Sequence, residues 1–324
     1  MREVQFIKQN SDLWKAFEGL LNTGAEADPD LLAQKFVRIQ DDLSYARTFY
    51  PKSATTRYLN ELVSSAYQKI YKNKREKSSR FITFWQYEVP QAAFELRKPF
   101  LYSFLIFSIS IALGALSLSK DDTFARLVLG DGYINMTMEN IRNGDPMGVY
   151  KDMEPLFMFI MIAVNNLYVA LKCFAFGIAF SVGSAYMLFT NGVMLGVFQY
   201  FFHMQGLFVQ SALTIWIHGT LEICAIILAG GAGLALGNSI LFPKTYSRLY
   251  SLTKATKNGI KIIISLFPVF ITAAFLEGFV TRHTEMPVWL SLLIIGSSLG
   301  FIVFYYIYLP QKLQNHKNAG GTNI

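Results

Sequence analysis

The feature that most constrains this chain is a series of long apolar stretches beginning at residue 100, with little charge among them. Residues 100–119, 155–171, 173–202, 207–237, 262–280 and 288–309 are predominantly apolar, and a helix rising 1.5 Å per residue needs about 20 such residues to cross ~30 Å of hydrocarbon. In hydrocarbon the backbone must satisfy its own polar groups, which leaves the helix for single segments of this length. The fold class is therefore all-α, a polytopic membrane helix bundle of about six spans over residues 100–310. Charged residues are held to 16%, well below the roughly 25% of soluble domains.

The charge gathers at the front, where residues 1–99 hold 16 of the 29 Lys+Arg and 12 of the 22 Asp+Glu. No apolar core of signal-peptide length precedes residue 100, so the first span is expected to direct insertion itself. Residues 1–80 read as a cytoplasmic helical domain. A first helix over about Val4–Leu21 turns Phe6, Leu13, Trp14 and Phe17 inward. A second opens at Asp28-Pro29, a cap followed by proline at the first helical position, and repeats Leu31, Leu32, Phe36, Ile39, Leu43 and Ala46 at three- and four-residue steps as far as Tyr50-Pro51. A third, over Ala54–Lys72, aligns Tyr58, Leu62, Ala66 and Ile70. Three such helices can share one small core.

The basic run Lys72, Lys74, Arg75, Lys77 and Arg80 leads into Phe81, Ile82, Phe84, Trp85 and Tyr87. This order predicts an interfacial amphipathic helix over residues 81–99 that meets the anionic lipid of an inner leaflet. Packing of the same aromatics on the helical domain is the plainer reading. The net charge of +7 could suggest nucleic acid, but the cations flank membrane segments, so no nucleic-acid partner is expected. Cys173 and Cys224 lie in apolar runs and behave as small hydrophobes.

Loop charge sets the expected topology. Residues 238–261 carry Lys244, Arg248, Lys254, Lys257 and Lys261 with no acid, whereas residues 120–154 carry seven acids and four bases. By the positive-inside rule the former is cytoplasmic and the latter external. Four spans before residue 238 then place the N-terminus, that basic loop and the 311–324 tail in the cytoplasm of a bacterial inner membrane. Asn191-Gly192 predicts a kink or half-helix inside the third span.

Polar residues at membrane depth are the candidate functional groups, because burying them there is costly. His218 and Glu222 are one helical turn apart and are expected to hydrogen-bond to each other or to a polar group on a neighbouring helix. Zinc at a catalytic centre needs three protein ligands, and Glu277, His203 and His283 are scattered along the chain, so no metal, cofactor or catalytic residue is assigned. Gly230, Gly233 and Gly237 lie in a small-residue ridge suited to close helix packing, within the chain or against a second copy. Asn165, Asn166, Gly196, Gly219 and Gly278 complete the set.

Six short motifs in register, Asn165-Asn166, Phe176-Gly177, Asn191-Gly192-x-x-Leu195-Gly196, His218-Gly219-x-x-Glu222, Ala229-Gly230-x-Ala232-Gly233-Leu234-x-Leu236-Gly237 and Glu277-Gly278, resemble the stage II sporulation protein M family over roughly residues 80–310. Ile223, where the family typically has leucine, is a departure. In spore formers the namesake serves the engulfment machinery and recruits peptidoglycan-degrading enzymes. The leading helical region suits the wider, non-sporulating branch, whose genes often neighbour MoxR-type AAA ATPases. The resemblance thus implies a non-enzymatic scaffold joining cytoplasmic partners to envelope or cell-wall machinery. A channel or transporter built on His218, Glu222 and Glu277 is the alternative, and an intramembrane hydrolase is a third. A polar cavity reaching His218 and Glu222 would favour transport, and a dry, glycine-packed interior a scaffold.

Overall fold

The structure, a computed structural model, describes residues 1–22, 29–71, 79–150, 154–282 and 286–320. Asp28, Lys72, Lys74, Arg75, Lys77 and His283, invoked above for a cap, a lipid contact and a ligand, lie outside them. The described residues contain no strand and form two compact units, Met1–Arg80 and Phe81–Ile324.

In the first unit, α1 (Glu3–Asn22), α2 (Pro29–Phe49) and α3 (Ala54–Tyr71) bury Phe6, Trp14, Phe17, Ile39, Leu43, Ala46, Leu62 and Ala66 in one core. These fall at the three- and four-residue steps that place side chains on one helix face. One buried contact is polar, with Trp14 Nε1 donating to Asp42 Oδ2 at 2.8 Å. A carboxylate in such a core needs a donor, and the indole supplies it.

The second unit opens within α4 (Ser79–Thr83) and continues through a π-helical turn (Phe84–Glu88) and α5 (Val89–Glu95). The interfacial reading of residues 81–99 is corrected here in part. Val89, Ala92, Ala93 and Leu96 are buried in the core of the bundle, while Phe81, Ile82 and Tyr87 remain exposed. The α5 region docks on the bundle through Lys261–Glu88 (2.8 Å) and Lys254–Glu95 (3.2 Å) ion pairs.

Among the described residues, six helical runs of 23 to 34 residues are long and apolar enough to cross a membrane: Arg97–Lys120, Pro155–Ile178, Val182–Met204, Phe208–Leu241, Arg248–Val280 and Val288–His316. They contain α6 (Arg97–Lys120), α9 (Pro155–Ala175), α10 (Val182–Met204), α11 (Phe208–Leu241), α12 (Arg248–Phe275) and α13 (Val288–Val303) continuing into α14 (Leu309–Gly320), while α7 (Phe124–Leu129) and α8 (Asp131–Arg142) follow the first span. Residues 121–154 separate the first two spans, whereas the later spans follow one another after short connections. The central helix is α11, 61% of whose apolar window is buried against 17% in the last span.

Several boundaries differ from the sequence reading, each for a local reason. The interruption expected at Asn191-Gly192 is absent. Here α10 runs straight through, Asn191 donating to the Met187 carbonyl at 2.7 Å, and Gly192 is small because Ser110 and Phe107 of α6 lie against it. The chain breaks earlier, at a 3₁₀ turn (Phe176–Ile178) followed by Phe180 and Ser181 with φ of 53° and 69°. Lys172, which separates the 155–171 and 173–202 stretches, is inside α9 with its ammonium 4.0 Å from the centre of the Tyr168 ring. The basic loop shrinks because Ser247 caps α12, accepting from Tyr250 N at 3.3 Å, so Arg248 to Lys261 are helical. The tail is helical to Gly320. Residues 120–154 are more than a polar loop: Ala125, Ile134 and Met147 share a core with Leu118, Phe201, Phe202 and Ile215.

Three π-helical turns, Phe84–Glu88, Leu276–Val280 and Phe304–Tyr308, each insert an extra residue into a helix. The second is closed by Thr281 N–H donating to Leu276 O at 2.8 Å. Such bulges recur at functional positions.

Candidate functional site

The polar residues of three spans meet beside this second π turn. His218 and Glu222 project from α11 one turn apart, Asn166 comes from α9, and Glu277 with Thr281 come from the end of the α12 run. Asn166 Nδ2 donates to Glu222 Oε1. His218 Nδ1 lies 3.0 Å from Thr281 Oγ1, and His218 Nε2 lies 3.7 Å from Glu277 Oε2. The carboxyl groups of Glu222 and Glu277 face each other, with one oxygen of each within 4.8 Å of the other. The side chains of His218 and Glu277 are only 5% and 16% exposed, and Thr281 is buried.

The tautomer of His218 follows from its neighbour. Thr281 Oγ1 donates its single hydrogen to the Leu276 carbonyl at 3.1 Å, so toward the imidazole it can only accept. That assigns the ring hydrogen to Nδ1 and the lone pair of the neutral ring to Nε2, the nitrogen turned toward Glu277. One ligand atom from each of His218, Glu222 and Glu277 then falls within 4.8 Å of the other two.

This refines one sequence expectation and corrects another. His218 and Glu222 are held by partners on neighbouring spans, Thr281 and Asn166, with Glu277 between them. Glu277 is not scattered but is the third member of the group. Asn166 and Thr281 are the functional residues that sequence reasoning undervalued or missed. Thr281 sits four residues after Glu277, an offset that places two side chains on one helix face.

A cavity of about 550 Å³ reaches the cluster, lined among others by Asn165, Asn166, Asn191, His218, Gly219 and Glu222, with Tyr133 of α8 on its wall. Burial pushes the Tyr133 phenol up to about 12, so it remains a hydrogen-bond donor at ordinary pH. A second cavity, about 420 Å³, touches Thr281, Thr214, Gln210 and Ser291. The hydrogen-bonded His218–Thr281 pair thus has one member in each cavity wall. His203 lies apart, packed on Tyr200 and Phe208.

The glycines form the frame. Gly196 abuts Ile111 of α6, Gly230 abuts Leu188 of α10, and Gly278 faces Pro155 and Phe159 of α9. Gly233 and Gly237 are buried against Cys173, Gly177, Ser181 and Ser184. Within the ridge, Ser181 Oγ donates to Leu234 O at 2.8 Å and Ser184 Oγ to Cys173 O at 2.5 Å. The chain's own 173–184 segment lies against this part of the ridge.

These features define a polytopic α-helical membrane protein with an ionisable cluster inside the bundle and a separate helical unit at its front. Residues 103–282, more than half of the chain, match the stage II sporulation protein M family. The chain belongs to that family. Residues 4–72 match a domain of unknown function, DUF8413, which corresponds to the α1–α3 unit. No curated protein and no solved structure matches the chain.

Proposed function

We propose that this chain is a non-enzymatic membrane transport protein that passes a cation, or a small solute bearing one, by way of the His218–Glu222–Glu277 cluster. The observation that carries this reading is the placement of that cluster, assembled from two spans with a cavity reaching His218 and Glu222 and another reaching Thr281. Ionisable residues inside membrane segments are rare, and where they face a cavity they characteristically mark ion and substrate paths. Two carboxyl groups in contact with a histidine make a site selective for positive charge. No serine or cysteine lines the larger cavity, which weighs against acyl-transfer chemistry by a side-chain nucleophile. The test is flux into proteoliposomes carrying the purified full chain, using panels of monovalent and divalent cations. Flux above protein-free vesicles, lost in Glu277→Gln, is the expected result. No flux for any ion, or equal flux in the variant, refutes it.

A second reading has its own support. The Met1–Arg80 unit has a separate core, and helices α7 and α8 form a packed cap between the first two spans. Both are surfaces a scaffold would use to join cytoplasmic partners, such as an AAA ATPase, to cell-wall enzymes at a bacterial inner membrane. Copurification of such partners in mild detergent, lost on deleting residues 1–80, is its test.

A further inference from the structure

We propose that His218, Glu222 and Glu277 form a binding site for a divalent first-row transition metal of the zinc type. The inference rests on the reading that the cluster is a cation site and names the class of cation. Three observations carry it.

First, one ligand atom from each residue lies within 4.8 Å of the others. In tetrahedral zinc, bonds of about 2.0–2.2 Å set neighbouring ligands roughly 3.4 Å apart. Side-chain rotation alone covers that difference, because all three groups stand at the ends of rotatable bonds.

Second, the surroundings orient ligands. The imidazole of a metal-bound histidine characteristically gives its other N–H to an acceptor, which fixes the tautomer and aims the lone pair. Thr281 does this for His218: its own hydrogen is committed to Leu276 O, so Nδ1–H is directed to Oγ1 and Nε2 to the carboxyl groups. Asn166 holds Oε1 of Glu222 in the same way, leaving that carboxyl its second oxygen.

Third, charge selects the ion. A neutral imidazole and two carboxylates carry two negative charges, so a divalent ion gives a neutral assembly, whereas a monovalent ion leaves a charge that is costly in hydrocarbon. Imidazole favours zinc, iron, copper or nickel over magnesium and calcium, which take six or more oxygen ligands or retain water. The cavity that reaches His218 and Glu222 provides an approach.

The experiment uses the full chain in detergent, stripped with a chelator and titrated with Zn²⁺ by calorimetry. Metal content is measured after gel filtration, and the zinc-loaded protein is studied by X-ray absorption. Expected are one zinc per chain, a first shell of one nitrogen and oxygens only, and loss of stoichiometric binding in His218→Gln and Glu277→Gln. Thr281→Val, which keeps every ligand, should weaken binding about 10–100-fold, whereas Gly300→Ala, whose added Cβ meets nothing within 4 Å, should not change it. The X-ray spectrum of the wild type keeps the test decisive should a ligand variant fail to fold. Absence of zinc binding, sulfur in the shell, or unchanged stoichiometry in monodisperse Glu277→Gln overturns the site. Vesicles that pass sodium or potassium through a chain that binds no zinc would overturn the metal and leave transport standing. Zinc bound as described by a chain that passes no ion would sustain the metal site and remove transport.

Discussion

Adding one methyl group at Gly233 should destabilise the bundle. A Cβ built there meets Ser184 Oγ and the Cys173 carbonyl at less than contact distance, and lies 3.0 Å from the Phe174 carbonyl. Two of these atoms are the partners of the Ser184–Cys173 hydrogen bond, so alanine is driven between them and backbone must move. Overpacking of this kind costs about 1–3 kcal/mol, and breaking the hydrogen bond adds about 1 kcal/mol. The better helix propensity of alanine returns about 1 kcal/mol, for a net loss of roughly 1–3 kcal/mol. For a unit of this size that lowers the melting temperature by roughly 3–10 °C. The chain carries its own reporter, since Cys173 is buried and Cys224 partly so, and a thiol-reactive fluorogenic dye in detergent reads their exposure on heating. Gly300→Ala is the control: nothing lies within 4 Å of its added Cβ, and it should be neutral or slightly stabilising. If Gly233→Ala melts with Gly300→Ala, the close approach of the 173–184 segment to α11 is wrong.

Further outcomes can be checked separately. Asn166→Ala and Glu222→Gln, measured singly and together by thermal unfolding, should be non-additive by about 0.5–1.7 kcal/mol, the range of interhelical hydrogen bonds in membranes; additive losses would show that the two side chains do not interact. Trp14→Phe leaves the buried Asp42 carboxylate without its indole donor and should cost about 1–3 kcal/mol, read as faster amide exchange across α1–α3, whereas unchanged exchange would place Asp42 in water. Cysteines at Asp122 and Ser247, both exposed, should label from outside and inside the cell respectively with an impermeant reagent; the reverse pattern would invert the topology. Thr137, the obvious loop position, is buried and would give a false negative.

The parts legible in sequence were those set by long, repetitive patterns. Six apolar runs and the amphipathic steps of α1–α3 depend on many residues each, so no single misread residue hides them. Breaks and boundaries depend on few. Asn191-Gly192 has the composition of a breaker, yet Asn191 is satisfied by a carbonyl of its own helix and Gly192 is there for α6. The actual break, at Phe180 and Ser181, puts two non-glycine residues in the left-handed region, which local propensity disfavours. It is held by Ser181, whose side chain reaches across to Leu234. The site was half legible for a similar reason. His218 and Glu222 stood out as ionisable groups in an apolar run, but the partners that hold them are 56 and 63 residues away. Sequence spacing within one helix could not supply them.

The π turn at Leu276–Val280 has a consequence for how the cluster could be lost. One surplus residue in a helix is a matter of counting, so tightening of this turn to an ordinary α-helix, with every residue of the cluster kept, shifts the register of all that follows it. Residues beyond the tightened turn would swing by about 100° around the axis, carrying Thr281 away from His218 while Glu277, near the start of the turn, stayed closer to its place. The imidazole would lose the acceptor that sets its tautomer although no residue touching it had been substituted. Such a chain would keep its spans and its glycine seams, and a comparison by residue identity alone would still describe the cluster as intact.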